Sequence, residues 1–223
     1  ANALVAANVG SQILIRLEDQ EATGTSGNDV LRGGWGDDRF AGGAGDDTLS
    51  GERGSDALSG GDGADTLTGG TGGDTLAGDA GNDIFADVAK DGDTDTLTGG
   101  VGRDIYRGLD LALLPTITGE DIITDFEVGP GGDVIEISGT SGNPFLARQL
   151  VVKAVGADTV IFFRDDLGNG RAVLRLKNVD PATLTPENLG GYSFPITSTG
   201  ILYDSDAGNA LLGTGDADVI YGN

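Results

Sequence analysis

Nine aspartates recur at one position of a nine-residue unit. Asp29, Asp38, Asp47, Asp56, Asp65, Asp74 and Asp83 stand nine residues apart, and Asp95 and Asp104 resume the spacing after a three-residue break. Glycine stands two residues before the aspartate at Gly27, Gly36, Gly45, Gly54, Gly63, Gly72, Gly81 and Gly102. A residue without a Cβ lets the backbone turn tightly and aims carbonyl oxygens at a ligand. Carboxylates mixed with carbonyls are the donor set of Ca2+, which takes about six to eight oxygens at roughly 2.3–2.6 Å. Mg2+ is a poorer match, because it demands tighter octahedral geometry and keeps its waters.

Composition removes most other chemistry. The chain has no histidine and no cysteine, so it offers Zn2+ no nitrogen or sulfur ligand. The same absence excludes HExxH sites, Ser-His-Asp triads, thiol nucleophiles and disulfides. Acidic residues number 36 against 13 basic ones, a net charge of −23, which disfavours nucleic acid and anionic membrane as partners. No apolar run reaches the roughly 18–20 residues of a membrane helix. The N-terminal "ANALVAANVG" lacks the basic segment of a signal peptide.

The elements that must position the aspartates follow from the repeat. From Gly24 the chain reads GTSGNDVLR, GGWGDDRFA, GGAGDDTLS, GERGSDALS, GGDGADTLT, GGTGGDTLA and GDAGNDIFA, then after 87–89 KDGDTDTLT and GGVGRDIYR. The eighth position is always apolar: Leu31, Phe40, Leu49, Leu58, Leu67, Leu76, Phe85, Leu97 and Tyr106. We expect the last three residues of each nonamer to form a short strand with the eighth pointing in, and the first six to form a turn. Glycines at the first and fourth positions are expected to take φ > 0. Two nonamers make one coil of a right-handed parallel β-roll. One large apolar side chain per nonamer cannot offset the ordering of nine residues, and stacked aspartates repel. A cation between nonamers two apart supplies the difference. Seven contiguous nonamers make five such pairs (seven less two), and all nine make seven if the break is absorbed.

These nonamers resemble the RTX, or hemolysin-type calcium-binding, repeat G-G-x-G-x-D-x-U-x. The resemblance implies a β-roll, Ca2+ bound in its turns (about five to seven ions by the pair count above), type I secretion and folding only where Ca2+ is abundant, outside the cell. Thr25, Glu52 and Asp79 depart from the second glycine, and Lys90 and Asp93 replace the first and fourth in the eighth nonamer. Asp91, Asp93 and Asp95 start like an EF-hand loop, but Thr96 and Gly102 stand where that loop needs Gly and Glu.

After the repeats, "EDIITDFEVGPGGDVIEIS" (120–138) reads as two strands around a Gly-Pro-Gly-Gly turn. "LVVKAVGADTVIFF" and "RDDLGNGRAVLRLKNV" read as hairpins, and "TPENL" as one capped helical turn. The pattern is similar to the region following the repeats in serralysin-type proteases, without their protease motif. We expect an all-β chain: a flank at 1–23, the roll at 24–108, an antiparallel β cap at 109–195 over the open sheet edge, and a linker at 196–223. "GTGDADVIYG" (213–222) mirrors "GTSGNDVLRG" (24–33), with Asp218 in the place of Asp29, as if a further roll began there.

Asp121, Asp125 and Asp133 read as turn and strand-end residues, with a terminal Ca2+ site as the alternative. Trp35 suits either a loop edge or a sugar-stacking platform. Arg32, Arg39, Arg53, Arg103 and Arg107 suit surface counter-charges or a track for an acidic glycan. The expected function is a non-catalytic Ca2+-binding module of a larger secreted protein of surface adhesin or S-layer type. Neighbouring modules or cell-surface polysaccharide are its candidate partners besides calcium. The alternative is a targeting or carbohydrate-binding appendage of a secreted protease, lipase or alginate epimerase.

Overall fold

Along an extended chain the eighth position of one nonamer and the first of the next lie two residues apart, so both face one side. One is large and apolar and the other is glycine. The computed structural model, which describes residues 3–5, 18–86, 88, 91–110, 119–138, 150–164 and 170–191, shows both turned inward. Except at Ile84–Phe85, where the break leaves two, each repeat strand is six residues long, not three. It runs from the seventh position of one nonamer through the third of the next, and only the fourth to sixth form the turn. The strands are β1 (Ala3–Val5), β2 (Glu21–Thr23), β3 (Val30–Trp35), β4 (Arg39–Ala44), β5 (Thr48–Arg53), β6 (Ala57–Asp62), β7 (Thr66–Thr71), β8 (Thr75–Ala80), β9 (Ile84–Phe85), β10 (Thr96–Val101) and β11 (Ile105–Asp110).

From β2 to β11 successive strands go to opposite sheets. One sheet runs β1-β2-β4-β6-β8-β10 and the other β3-β5-β7-β9-β11, all parallel within the roll. Partners stand 18 residues apart, as with Leu31 and Leu49, until the break. There the register becomes 21, with Leu76 opposite Leu97 and Phe85 opposite Tyr106, so the parallel pairing resumes past the three-residue break. Ala22, Phe40, Leu58, Leu76, Leu97 and Ile123 form one apolar column. Leu31, Leu49, Leu67, Phe85, Tyr106 and Ile135 form the other, with the Phe85 and Tyr106 rings stacked at 4.9 Å.

Residues 120–138 do not pair with each other as a hairpin. β12 (Asp121–Ile123) adds to β10 in the first sheet, and β13 (Val134–Ser138) adds to β11 in the second. They are a last coil with the repeat spacing stretched, and the Gly-Pro-Gly-Gly segment carries the chain between sheets.

Antiparallel strands then close the stack. β14 (Leu150–Val155), β15 (Asp158–Arg164) and β16 (Gly170–Leu176) form a meander, and β16 pairs parallel with β12. Arg175 on β16 fastens the join, reaching Glu120 at 2.7 Å and Asp158 at 3.2 Å. Asp158 also holds Lys177 at 2.7 Å and accepts from the Asn178 amide, contacts that lower its pKa to about 2. Over β13 lies the 3-10 turn Glu187–Leu189, the expected "TPENL" turn. Its buried Asn188 donates to the Asp133 carbonyl at 2.7 Å and accepts from the Gly129 amide at 3.0 Å. The tail 213–222, Asp218 and Lys90 lie outside the described residues.

Candidate metal centre

At the sixth position the chain leaves the turn to enter a strand, and the aspartate side chain folds inward. Asp38, Asp47, Asp56, Asp65, Asp74, Asp83, Asp95 and Asp104 are all buried, and Asp29 at the first turn is half-buried. Turn aspartates free in solvent would not be.

From Asp47 on, each Oδ1 accepts from the backbone N–H of the aspartate one coil earlier, and Asp38 Oδ1 accepts from the Gln20 amide at 2.6 Å. Along one edge the bonds run Asp29 to Asp47, Asp47 to Asp65 and Asp65 to Asp83, at 2.7–2.8 Å, then Asp83 to Asp104 at 2.9 Å. Along the other they run Asp38 to Asp56, Asp56 to Asp74 and Asp74 to Asp95, at 2.7–2.8 Å. Asp121 and Asp133 extend the two columns by accepting from Asp95 and Asp104 at 3.0 and 2.9 Å. They are ladder members and not simple strand ends. The signal for them was the Asp-x-apolar triplet (Asp121-Ile122-Ile123 and Asp133-Val134-Ile135), which repeats the sixth to eighth positions without the glycines.

The second carboxylate oxygen is different. Oδ2 of Asp47, Asp56, Asp65, Asp83 and Asp104 is buried and has no hydrogen-bond partner. It lies against the first-position glycine of its own nonamer: a Cβ on Gly42, Gly60 or Gly78 would strike Oδ2 of Asp47, Asp65 or Asp83. The carbonyl of the first-position glycine one coil later lies at the same point, with Gly60, Gly78 and Gly99 facing Gly42, Gly60 and Gly78. First-position glycines are therefore there for space. Positive φ falls instead at the fourth-position glycines from Gly36 on and at the second position at Gly43, Glu52, Gly61, Gly70, Asp79 and Gly100.

At the fourth position Gly36, Gly45, Gly54, Gly63, Gly72, Gly81 and Gly102 have φ between 106° and 146°, and Gly27 alone does not. At the second, Glu52 (φ 81°) and Asp79 (φ 74°) adopt the glycine conformation. Their side chains are engaged, Glu52 with Arg32 at 2.8 Å and Asp79 with the Ser59 hydroxyl at 2.6 Å.

Carboxylates sequestered in this way resist ionisation. Burial raises the pKa of Asp38, Asp47, Asp65 and Asp104 above the ordinary value, with like-charged neighbours adding to it. Burial pushes Asp56 and Asp133 up to about 6, Asp83 to about 7 and Asp95 to about 8. In an unfolded chain these groups return to about 3.9. The folded state therefore binds protons more tightly, and stability of the ion-free roll is fullest below about pH 4 and is lost as pH rises through about 8. In EDTA, far-UV circular dichroism should report strand structure on acidification and its loss towards pH 8. Excess Ca2+ should flatten the profile, and a flat profile in EDTA would show that these carboxylates carry no such penalty.

Sequence reasoning missed a second ladder on the outer side of the turns. Fifth-position Asx side chains accept from the fifth-position N–H one coil later: Asn28 from Asp46, Asp46 from Ala64, Asp37 from Ser55 and Asn82 from Arg103, at 2.8–3.0 Å. Asp19 does the same for Asp37. The signal was Asn or Asp at a position the motif leaves open.

Two of the surface arginines act as counter-charges, Arg32 to Glu52 and Arg107 to Glu136 at 2.6 Å, while Arg53 lies over the Trp35 ring at 4.6 Å.

The residues present fit a hard divalent cation. Paired carboxylate and carbonyl oxygens meet in a buried setting with no donor N–H or cation between them, an arrangement that costs several kcal/mol unless neutralised. Among the described residues no three carboxylates converge, so backbone carbonyls have to complete any coordination shell.

The family model of the RTX calcium-binding nonapeptide repeat (4 copies) matches residues 19–49 and again 50–85. No curated protein matches the chain. Among solved structures, the R3 subunit of the Azotobacter vinelandii AlgE6 mannuronan C5-epimerase is 26% identical over 97% of this chain and 94% of its own, with a TM-score of 0.27. The R2 subunit of the same enzyme is 28% identical over 78% and 94%, with a TM-score of 0.26. Extracellular lipase LipA of Serratia marcescens is 14% identical over 84% of this chain and 42% of its own, with a TM-score of 0.31.

Proposed function

From the premise that residues 19–85 are RTX calcium-binding repeats wound into a β-roll, we propose that the chain is a non-catalytic module whose folding is switched on by Ca2+ outside the cell. The observation that carries this reading is the column of buried, partnerless Oδ2 atoms facing glycine carbonyls. The metal ligands are taken to be the sixth-position aspartates with carbonyls of the glycine turns, in about five to seven sites. When bound, Ca2+ supplies the positive charge and the coordination that the roll lacks. The protein's part is to stack paired turns at a fixed spacing, exclude water from the carboxylates and hold each Oδ1 on a backbone amide.

Binding and folding are one event, because the repelling chain has no preformed site before the coils stack. Midpoints for extracellular calcium modules lie at roughly 10−4–10−3 M. Such a module is ordered in extracellular calcium and disordered at cytosolic levels, which suits export as an unfolded chain. A calcium titration followed by far-UV circular dichroism tests this. Strand signal and bound ion should rise together, and a roll fully folded in excess EDTA at neutral pH overturns the reading.

We further place the module as one unit of a larger secreted surface protein of adhesin or S-layer type, with the roll at 24–108 carried on by the last coil of β12 and β13, the antiparallel cap of β14 to β16 behind it, and a next block near 213–222. The echo of residues 24–33 in the tail supports this. Calcium-dependent self-association in light scattering is the expected behaviour, and a strictly monomeric chain in Ca2+ counts against the surface-layer parent.

A further inference from the structure

Five first-position glycines follow one another along the first sheet edge: Gly24, Gly42, Gly60, Gly78 and Gly99. At each, Oδ2 of the same nonamer's aspartate fills the space where a Cβ would be, from Asp29 through Asp104. At the first four the next oxygen at that point is the carbonyl of the following glycine. At Gly99 there is no following glycine. The slot belongs to Asp125, which accepts from the Gly99 and Gly100 amides at 2.9 Å each. The oxygen found in the carbonyl's place is the hydroxyl of Tyr106, 2.7 Å from where a Cβ on Gly99 would lie.

Tyr106 is fully buried at an eighth position that Leu or Phe fills in every other nonamer. Its ring needs no hydroxyl to stack on Phe85. Yet the hydroxyl is buried and has no hydrogen-bond partner, beside an Asp104 Oδ2 in the same condition. An unpaired buried hydroxyl loses its hydration and gains nothing for it, so it needs a reason. Asp125 is near enough for its charge to act on both Asp104 and Tyr106. Asp83 and Asp133 also act on the hydroxyl. Asp83 Oδ2 already meets the Gly99 carbonyl over Gly78. Asp133, like Asp125, accepts from two amides, those of Asp104 and Glu127 at 2.9 and 2.8 Å, but it is buried where Asp125 is exposed and open to further ligation.

We propose that the Tyr106 hydroxyl stands in for the missing glycine carbonyl and closes the column as a terminal site for one Ca2+ ion, shared with Asp104 and Asp125. The proposal rests on the roll being a calcium-binding module. A neutral phenol oxygen has the same formal charge as the carbonyl it replaces. The carboxylate of Asp125 adds charge where the glycine column ends and fewer carbonyls are available. This gives the last coil an oxygen set unlike the others and ties it to the residues that lead into the cap.

Terbium(III), a luminescent stand-in for Ca2+, reads the site in the full chain because a tyrosine beside it passes on excitation. Trp35→Phe serves as background for all proteins compared. Adding Tyr106→Phe should remove most tyrosine-sensitised terbium emission and weaken one ion about tenfold in equilibrium dialysis. The strand signal at saturating Ca2+ should persist, since Phe already fills the eighth position at Phe40 and Phe85. Asp125→Asn, a surface change, should weaken the same ion without touching the core. Unchanged emission, stoichiometry and affinity in both variants, with calcium-driven folding intact, overturn the Tyr106 site and leave the module reading standing. Absence of Ca2+ and terbium binding in the background protein overturns both.

Discussion

Gly63→Ala is expected to raise the calcium midpoint of folding and to lower stability at fixed Ca2+ by at least about 2 kcal/mol. Gly63 holds the fourth position of the central nonamer with φ at 145°, a conformation that L-residues rarely adopt. Its added Cβ would run into the Gly45 carbonyl one coil earlier, with the carbonyl carbon 2.6 Å away. Neither obstacle is a flexible side chain that could swing aside. The strand stack must open or the turn must change hand, and either displaces a carbonyl proposed to face the ion. The control is the same substitution at the same motif position. Gly27 has no positive φ, and a Cβ added there would meet nothing within 4 Å. Gly27→Ala should leave the midpoint unchanged, as read by circular dichroism during calcium titration. Equal effects at both positions would mean that the fourth-position glycines matter through general chain flexibility and not through the packed turn.

The roll is legible in the sequence because its grammar is a period. Nine residues per half-coil decide which aspartates stack and put Leu49 over Leu31 from spacing alone. Strand length is not legible in the same way, because glycine reads as turn material. First- and second-position glycines instead continue the strand, one making room for Oδ2 and the other bending the ladder, as at Gly43 with φ at 114°. Residues 120–138 mislead for the opposite reason. Asp121 and Asp133 keep the inward aspartate and the apolar residue two places on, but the glycines are gone. Without that cue the stretch looks like a hairpin, where the sheets simply continue. The parallel pairing of β12 with β16 is a long-range contact between residues about 50 apart, and no local signal encodes it.

Glycines and aspartates make opposite demands on the same space, and one isosteric change separates them. Asp65→Asn is expected to stabilise the ion-free chain and destabilise the calcium-loaded one. Asp65 Oδ1 accepts from the Asp47 amide at 2.7 Å, and an amide oxygen can keep that bond. Its Oδ2 has no partner and lies with the Gly78 carbonyl at the space over Gly60. Without a cation two acceptors face each other there, and burial raises the carboxyl pKa accordingly. An Asn side-chain nitrogen in that place donates to the carbonyl and carries no charge to bury, a gain of about 1–3 kcal/mol. With Ca2+ present the balance reverses. The amide nitrogen offers the ion no lone pair, and both pairings of Asp65, with Asp47 and with Asp83, lose a carboxylate oxygen. Denaturant unfolding in EDTA at mildly acidic pH and again in saturating Ca2+ should therefore give shifts of opposite sign relative to the parent. The variant should also lose part of the acid-induced ordering, since one of the protons taken up on folding is gone. Destabilisation in both conditions would mean that the Asp65 carboxylate serves the backbone ladder alone, and the assignment of Oδ2 to a cation would fall with it.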